Sequence, residues 1–304
     1  MHLLFVFIDG LGLGQMNSFN PFYTTETKNI TRLLDGKGLT ASNKGYSGAY
    51  ATLLGLDATL CMPGTPQSAT GQASLFTGLN AAAYLGRHVS GFPGPKLRHF
   101  LARNGMFKRL QEKGFKPCFA NAYSPPFFHK LAQGLPGHKY SCTTLITYYS
   151  GLPFLNFVDL KKGKAIYMDI TNSTLSDLGW GIQQINTEVA AKNLINKSKH
   201  FDLTLFEYFL SDIVGHSRDK VSAEREVIKL DSFIGSLAEQ IDYDTMFMLI
   251  TSDHGNIEDL SLKGHTTNEV PLLLMGKREL REQCNEVEPI LTAVVPLIER
   301  LLGV

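Results

Sequence analysis

Cysteine is scarce in this chain of 304 residues, and the four that occur form no pattern. Cys61, Cys118, Cys142 and Cys284 show neither the paired spacing of a metal-binding motif nor the density of a disulfide framework. We therefore expect reduced, mostly buried thiols. A long apolar run is missing too, because no segment reaches the ~20 residues that a membrane-spanning helix needs. The N-terminus also lacks the basic start of a signal peptide, so the expected location is the cytoplasm, with no membrane partner.

Neither sign of charge dominates the composition. The 29 Lys and Arg residues nearly balance the 28 Asp and Glu residues, and the formal net charge is +1. That balance argues against a nucleic acid or an acidic membrane surface as the main partner. Hydrophobic residues make up 43% of the chain and charged residues 19%, as in a soluble enzyme with a sizeable core. We expect a single domain over residues 1–304 that has room for an insertion.

Apolar runs alternate with amphipathic segments along most of the chain. The predicted strands lie at 2–8, 49–54, 116–122, 203–209 and 246–250, and the predicted helices at 29–34, 106–113, 187–197, 223–240 and 288–302. This alternation predicts an α/β fold.

Residues 125–185 break this alternation. They are rich in Tyr, Thr, Gly and Pro, and they contain one predicted strand, at 164–170. We expect this segment to form a small cap or lid within the domain, above the functional site.

Three of the predicted strands lead directly into residue types that bind metal ions. The carboxylate and imidazole side chains concerned are Asp9, Asp212, His216, Asp253, His254 and His265. In open α/β sheets, sites form outside the carboxyl ends of the strands, so we expect these groups to converge. A mixed set of oxygen and nitrogen ligands suits Zn²⁺ or Mn²⁺, with Mg²⁺ also compatible.

Ser68 stands where a polar loop enters a predicted helix. Backbone N–H groups and the helix dipole favour negative charge at such a position. A divalent metal would lower the pKa of the hydroxyl and make it a nucleophile. Two ions ~4 Å apart could then hold the attacking and leaving oxygens of an in-line displacement at phosphorus. Thr70 is the alternative nucleophile, and a plain helix-capping role is the other interpretation of Ser68.

Three motifs connect these residues to a known family. The sequences Asp-x-Val-Gly-His (212–216), Thr-Ser-Asp-His-Gly-Asn (251–256) and His-Thr-Thr-Asn-x-Val-Pro (265–271) resemble motifs of the alkaline phosphatase superfamily. The nearest branch is that of the cofactor-independent phosphoglycerate mutases and phosphopentomutases, and the resemblance covers residues 1–80 and 200–275. It implies a three-layer α/β core with a mostly parallel sheet, helices on both faces, and a phosphoseryl intermediate.

The resemblance also implies roles for individual residues. Asp212, His216 and His265 would bind one metal, whereas Asp9, Asp253 and His254 would bind the second, with Ser68 bridging to it as the phosphoryl acceptor. Gln72 stands four residues after Ser68, where those mutases usually have His. Gln72 and Asn121, which ends a predicted strand, are the candidates for substrate contact.

One departure from the mutases favours a different outcome of the chemistry. The stretch between Ser68 and Asp212 is too short to hold both the larger mutase cap and the core strands. A mutase must shield its intermediate from water, so a thin lid favours hydrolysis of a small phosphorylated metabolite. An intramolecular phosphomutase is the first alternative, and a catalytically silent, metal-stabilised binding protein is the second. A sulfatase is disfavoured because no Cys-x-Pro-x-Arg sequence occurs around position 68.

Overall fold

The computed structural model describes residues 1–134 and 138–304, which form one seven-stranded sheet with helices on both faces. The strands are β1 (His2–Ile8), β2 (Tyr46–Ser47), β3 (Ala51–Leu56), β4 (Pro117–Phe119), β5 (Leu203–Tyr208), β6 (Met246–Thr251) and β7 (Val270–Met275). Their order across the sheet is β2-β3-β7-β6-β1-β5-β4.

Most strands of this sheet run in one direction. Strand β1 lies between β6 and β5 and is parallel to both, and β4 is parallel to β5. Strand β7 is antiparallel to β6, and β3 is antiparallel to β7, so β3 again runs with β1. Among the described strands only β2 and β7 point the other way, which confirms the predicted mostly parallel sheet.

The helices connect these strands in the alternating order that the sequence predicts. They are α1 (Pro21–Thr24), α2 (Lys28–Leu33), α3 (Ser68–Thr77), α4 (Ala81–Leu85), α5 (Pro95–Asn104), α6 (Met106–Glu112), α7 (Pro125–Ala132), α8 (Cys142–Tyr149), α9 (Phe157–Lys161), α10 (Ser173–Asp177), α11 (Thr187–Ser198), α12 (Leu210–Ser217), α13 (Lys220–Gln240), α14 (Arg278–Gln283) and α15 (Val294–Leu302). None of the helices in the described ranges is both long and apolar enough to span a bilayer.

Two apolar layers enclose the sheet, one on each face. Side chains alternate along a strand, so Phe5 and Phe7 of β1 pack with α3, α5, α6, α8 and α15, while Leu4 and Val6 pack with α2, α11 and α13. Each fully buried side chain of this size contributes about 2 kcal/mol by leaving water. The burial on both faces explains why the central strands are apolar at nearly every position.

Two predicted elements are wrong in type or in their first residue, and a third is too long. No strand forms at 164–170: Ile166 makes only an isolated bridge to Asn121, and Ile170 has a φ of 70°. The chain turns there because the Asp169 carboxylate accepts hydrogen bonds from the backbone N–H groups of Asn172 and Thr174. The predicted helix at 288–302 begins only at Val294, since the chain around Ile290 extends to pair with Asp57 and a short 3-10 turn, Leu291–Ala293, follows. The predicted strand at 116–122 is also shorter, ending at Phe119.

The segment 125–185 contains two different kinds of structure, and its residues 135–137 lie outside the described part of the chain. Helix α8 packs against α3, α5 and α6 in the main core. Farther along, residues around α9 and α10 form a small apolar cluster of their own, made of Ala122, Leu155, Leu160, Ala165, Leu175 and Ile182. A cap or lid function for this segment stays a prediction.

Candidate metal centre

The carboxyl ends of β1, β5 and β6 bring most of the predicted ligands to one edge of the sheet. The strands are in register there: Ile8 pairs with Tyr208, and Phe7 pairs with Thr251. The residues just beyond these pairs are therefore neighbours. Asp9 follows β1, Asp253 and His254 follow β6, and α12 begins directly after β5.

His254 lies at the centre of this edge and is fully buried. Its Nε2 is 3.2 Å from Oδ1 of Asp9, 3.5 Å from Oδ2 of Asp253 and 3.0 Å from Oγ of Ser68. Burial by itself lowers the pKa of His254, but the negative charges of Asp253, Asp9 and Asp212 outweigh that effect and raise it to about 10. Without an ion, the acidic groups around this imidazole thus favour its protonated form.

Asp212, His216 and His265 form the second half of the site. Asp212 and His216 are four residues apart on α12, so both face the same side, and Oδ2 of Asp212 is 3.5 Å from Nε2 of His216. Nε2 of His265 is 3.2 Å from Nε2 of His216 and 3.6 Å from Oδ1 of Asp212. Nδ1 of His265 donates to the carbonyl of Pro66 at 2.9 Å, so Nε2 presents its lone pair to the site.

Two compact groups of ligand atoms result, and Asp212 belongs to both. One group consists of Asp212, His216 and His265, and the other of Asp9, Asp212 and His254. The first group is the set that the resemblance implies. In the second group, Asp212 takes the place expected for Asp253. The nearest oxygen of Asp253, Oδ2, lies 3.5 Å from Nε2 of His254.

Two buried carboxylate oxygens that face the His254 imidazole, without a hydrogen bond to it, indicate that this arrangement suits cations. Oδ1 of Asp9 and Oδ2 of Asp253 are inaccessible to solvent and accept no hydrogen bond from the described residues. Burial and the charge of Asp9 raise the pKa of Asp253 well above its usual range, and the same two causes raise that of Asp212. Carboxylates crowded in this way are stabilised by a bound divalent ion, so the residues present fit the predicted metal site.

Ser68, and not Thr70, presents its hydroxyl to this centre. Ser68 is the first residue of α3, and its Oγ faces His254 at 3.0 Å. Thr70 is fully buried, where its hydroxyl donates to the carbonyl of Gln67 and accepts from the N–H of Val89. Helix α3 can approach this closely because Gly71 has no side chain: a Cβ there would lie 2.7 Å from the carbonyl oxygen of Asp253.

The two predicted substrate contacts both lie at the site but differ in their partners. Gln72 donates from Nε2 to Oδ2 of Asp9 at 3.1 Å, and it lines the cavity in front of Ser68. Asn121 also lines the cavity, but its side chain is engaged with the backbone of β5. It donates to the carbonyl of Glu207 at 2.7 Å and accepts from the N–H of the same residue at 2.9 Å.

Buried polar residues around the ligands hold the connecting loops in place. The Glu258 carboxylate accepts from the N–H groups of Gly12 and Asn256 and from the hydroxyl of Thr266. Asn256 in turn donates to Oδ1 of Asp212 at 2.7 Å. These contacts tie the loop after β6 to the start of α12, and such outer partners fix the orientation of metal ligands.

Glu207 is a cavity residue that the sequence reasoning missed. It is the fifth residue of β5 and 6% exposed, and Thr143 donates to its Oε2 at 2.6 Å. Burial raises its pKa to about 8 despite the Thr143 hydrogen bond, and the charge of Asp9 adds to the shift. The sequence did contain an indication of this residue, because Glu207 is a carboxylate in a strand whose alternate residues Leu203 and Leu205 belong to the core.

Comparison with known sequences agrees with this geometry. Residues 166–303 match the sequence model of the family described as the metalloenzyme superfamily. The 2,3-bisphosphoglycerate-independent phosphoglycerate mutase of Pseudomonas fluorescens (strain Pf0-1) is 32% identical over 114 residues, which are 35% of this chain and 22% of that protein. The matched part therefore spans about a fifth of the length of this curated relative.

Solved structures share the fold over nearly the whole chain. The PH0037 protein from Pyrococcus horikoshii is 13% identical with a TM-score of 0.58, and the alignment covers 99% of this chain and 97% of that one. The alkaline phosphatase from the Antarctic bacterium TAB5 is also 13% identical, with a TM-score of 0.55 and the same coverage. At these identities the likeness is one of fold. The chain thus has an alkaline phosphatase-like fold, and its residues 166–303 carry the sequence pattern of the metalloenzyme superfamily.

Proposed function

We propose that this protein is a two-metal phosphoryl-transfer enzyme that hydrolyses a small phosphorylated metabolite through a phosphoseryl intermediate at Ser68. The observation that carries the proposal is the placement of the Ser68 hydroxyl. It stands at a helix N-terminus, 3.0 Å from a histidine that belongs to one of two adjacent ligand groups. A nucleophile that lines a cavity next to convergent ligands is the arrangement that phosphoryl transfer requires.

The ligand residues divide between two ions. Asp212, His216 and His265 would hold one ion, and Asp9, His254 and Asp253 would hold the other; Asp212 belongs to both groups of ligand atoms. Mn²⁺ or Zn²⁺ suits this set, and Mg²⁺ is compatible. When bound, such ions neutralise the charge on the phosphoryl oxygens and lower the pKa of the serine hydroxyl.

The protein's own residues account for the remaining requirements. Ser68 Oγ forms a bond to phosphorus while the ester oxygen leaves, and the released alcohol carries away the proton that the serine gives up. In the second half, a water oxygen bonds to phosphorus, the bond between phosphorus and Oγ breaks, and the serine regains a proton as inorganic phosphate departs. Gln72, which donates to Asp9, orients that carboxylate beside the nucleophile.

An intramolecular phosphomutase is the second candidate, and the relative from Pseudomonas fluorescens supports it by name. Phosphoglycerate carries a carboxylate besides its phosphate. The described residues that line the cavity beside Ser68 include Asp9, Asp212 and Glu207 but no Lys, Arg or His to pair with a second anion. This lining favours hydrolysis of a different ester.

Product analysis with metal-loaded protein tests the proposal. We expect free phosphate, and no isomer, to accumulate from a panel of phosphorylated metabolites and from an aryl phosphate. Ser68→Ala should lower turnover by roughly a thousandfold or more, whereas Thr70→Ser keeps the buried hydroxyl and should stay active. Mass spectrometry of acid-quenched enzyme should find phosphate on the Ser68 peptide.

The alternatives give different results in the same experiment. An isomeric product without free phosphate would establish the mutase. Bound metal with no turnover of any ester, and no effect of Ser68→Ala, would establish a binding protein. Absence of any bound divalent metal after purification and reloading would refute the proposal altogether.

A further inference from the structure

Glu207 holds a carboxyl group in a position where the fold otherwise places core side chains. It follows Leu203 and Leu205 on the same side of β5, and those two belong to the apolar layer beneath α3 and α8. The group is 6% exposed, and its small accessible part faces the cavity beside Ser68. A buried carboxyl in an apolar strand is costly, so its presence calls for a polar partner.

The protein supplies a hydrogen-bond partner for only one of the two carboxyl oxygens. Oε2 accepts a hydrogen bond from Thr143 at 2.6 Å. The other carboxyl oxygen has no hydrogen-bond partner in residues 1–134 and 138–304, and it is not sealed from the cavity. The unpartnered oxygen is therefore open to whatever molecule enters.

Glu207 also differs from the other two acids of the cavity. Asp9 and Asp212 belong to the ligand groups, so bound ions would neutralise them, but Glu207 belongs to neither group. The described lining contains no Lys, Arg or His. The rest of the lining is uncharged and includes the aromatic side chains of Phe92 and Tyr167, and the cavity volume is about 400 Å³. That space exceeds what a bare phosphate fills.

We propose that Glu207 is a specificity-determining residue that receives a hydroxyl or ammonium group on the alcohol portion of the substrate. The inference rests on the proposed function, because it assumes that the phosphoryl group lies at Ser68. The substrate class is a phosphate monoester of a polar alcohol without a second anion. A carboxylate or second phosphate in this cavity would find no Lys, Arg or His among the described lining residues to pair with it.

Matched substrates test this preference in the metal-loaded enzyme. Alkyl phosphates of two to five carbons, ending in a methyl, hydroxyl, ammonium or carboxylate group, differ only at the end that would reach Glu207. At the optimal length we expect kcat/KM for the hydroxyl or ammonium ester to exceed that for the methyl ester by about tenfold to a hundredfold. The carboxylate ester should be the poorest. The hydroxyl and ammonium arms show which of the two donors the site prefers.

The variant Glu207→Gln assigns the preference to this side chain. Gln keeps the volume and can still accept from Thr143, so a purely structural role would alter all four esters alike. We expect the ratio of donor-bearing to methyl ester to fall about tenfold, with most of the change in KM. Glu239→Gln, which alters only a surface ion pair with Arg32, is the control and should not change the ratio.

The two proposals fail in different ways. Equal kcat/KM for all four esters, or an unchanged ratio in Glu207→Gln, would overturn the role of Glu207 while leaving the phosphatase proposal intact. If no ester is hydrolysed, the proposed function fails. In that case, binding of the same series to metal-loaded protein by calorimetry decides on Glu207, because a donor preference that Glu207→Gln removes would still support its role, and no preference would overturn it.

Discussion

The imidazole rings of His254 and His265 stack face to face, with centroids 3.6 Å apart and planes inclined by 12°. Two protonated rings in that arrangement would repel each other. The surroundings avoid this repulsion because they shift the pKa values of the two rings in opposite directions. Carboxylates raise the pKa of His254 to about 10, whereas burial and the charge of His254 lower the pKa of His265 to about 4. Near neutral pH the ion-free site thus holds a proton on one ring and none on the other.

The difference between the pKa values of His254 and His265 predicts that metal binding releases protons. An ion must displace the proton on His254, because a ligating imidazole is neutral, whereas His265 is already neutral at pH 7. Affinity should therefore rise with pH between about 6 and 9, and binding at pH 7 should release on the order of one proton or more. Calorimetry in buffers of different ionisation enthalpy measures both quantities. A binding constant that does not change over this range would contradict the assignment of His254 as a ligand.

The shared position of Asp212 predicts an asymmetric loss of metal. His216→Ala removes a ligand from one group only, so metal content should fall from roughly two ions per chain to roughly one. Asp212→Ala removes a ligand from both groups and should leave less than that. Metal analysis after equilibration with a limiting concentration of free ion compares the two variants. Equal losses would show that Asp212 serves a single ion.

Close packing of α3 against the end of β6 makes Gly71 sensitive to a single added methyl group. In Gly71→Ala the new Cβ would meet backbone 2.7 Å away, which cannot move aside as a flexible side chain could. Helix α3 must shift, and Ser68 shifts with it. We expect kcat to fall on the order of a hundredfold, because small displacements of a nucleophile are that costly. Gly94→Ala, which meets nothing within 4 Å, is the control for activity and for Tm.

Glu207 should make the stability of the metal-free protein depend on pH. Its pKa is raised from 4.5 to about 8, so between these values the folded state holds a proton that the unfolded state has released. Stability therefore decreases as pH rises from about 4.5 to about 8. Glu207→Gln cannot ionise and should be more stable than the wild type above pH 8, by on the order of 5 kcal/mol. Urea unfolding with a chelator at pH 5 and pH 8.5 measures the difference, which would be the same at both pH values if Glu207 were not responsible.

Local sequence pattern was enough for the framework and for naming the candidate ligand residues. Strand β6 is a run of buried apolar side chains that ends beside Asp253 and His254, and that pattern depends only on neighbours in the chain. Helical spacing likewise placed Asp212 and His216 on one side of α12. The same reasoning failed at 164–170, where the Asp169 carboxylate accepts backbone hydrogen bonds that turn an apolar run away from a strand.

Tertiary structure decided what each group does within the site. Sequence motifs named the candidate ligands, but only the register of three strands put Asp212 between two groups and left Asp253 at their edge. Only burial distinguished the open hydroxyl of Ser68 from the engaged hydroxyl of Thr70. Glu207 became visible as a cavity residue once β5 lay beneath α8, because its partner Thr143 is 64 residues away in the chain.

The sequence by itself determined which side chains occur at the strand ends, since that is a local property. The distances, unpaired oxygens and shifted pKa values that give those side chains their roles arise from contacts between distant segments, and these exist only in the folded chain.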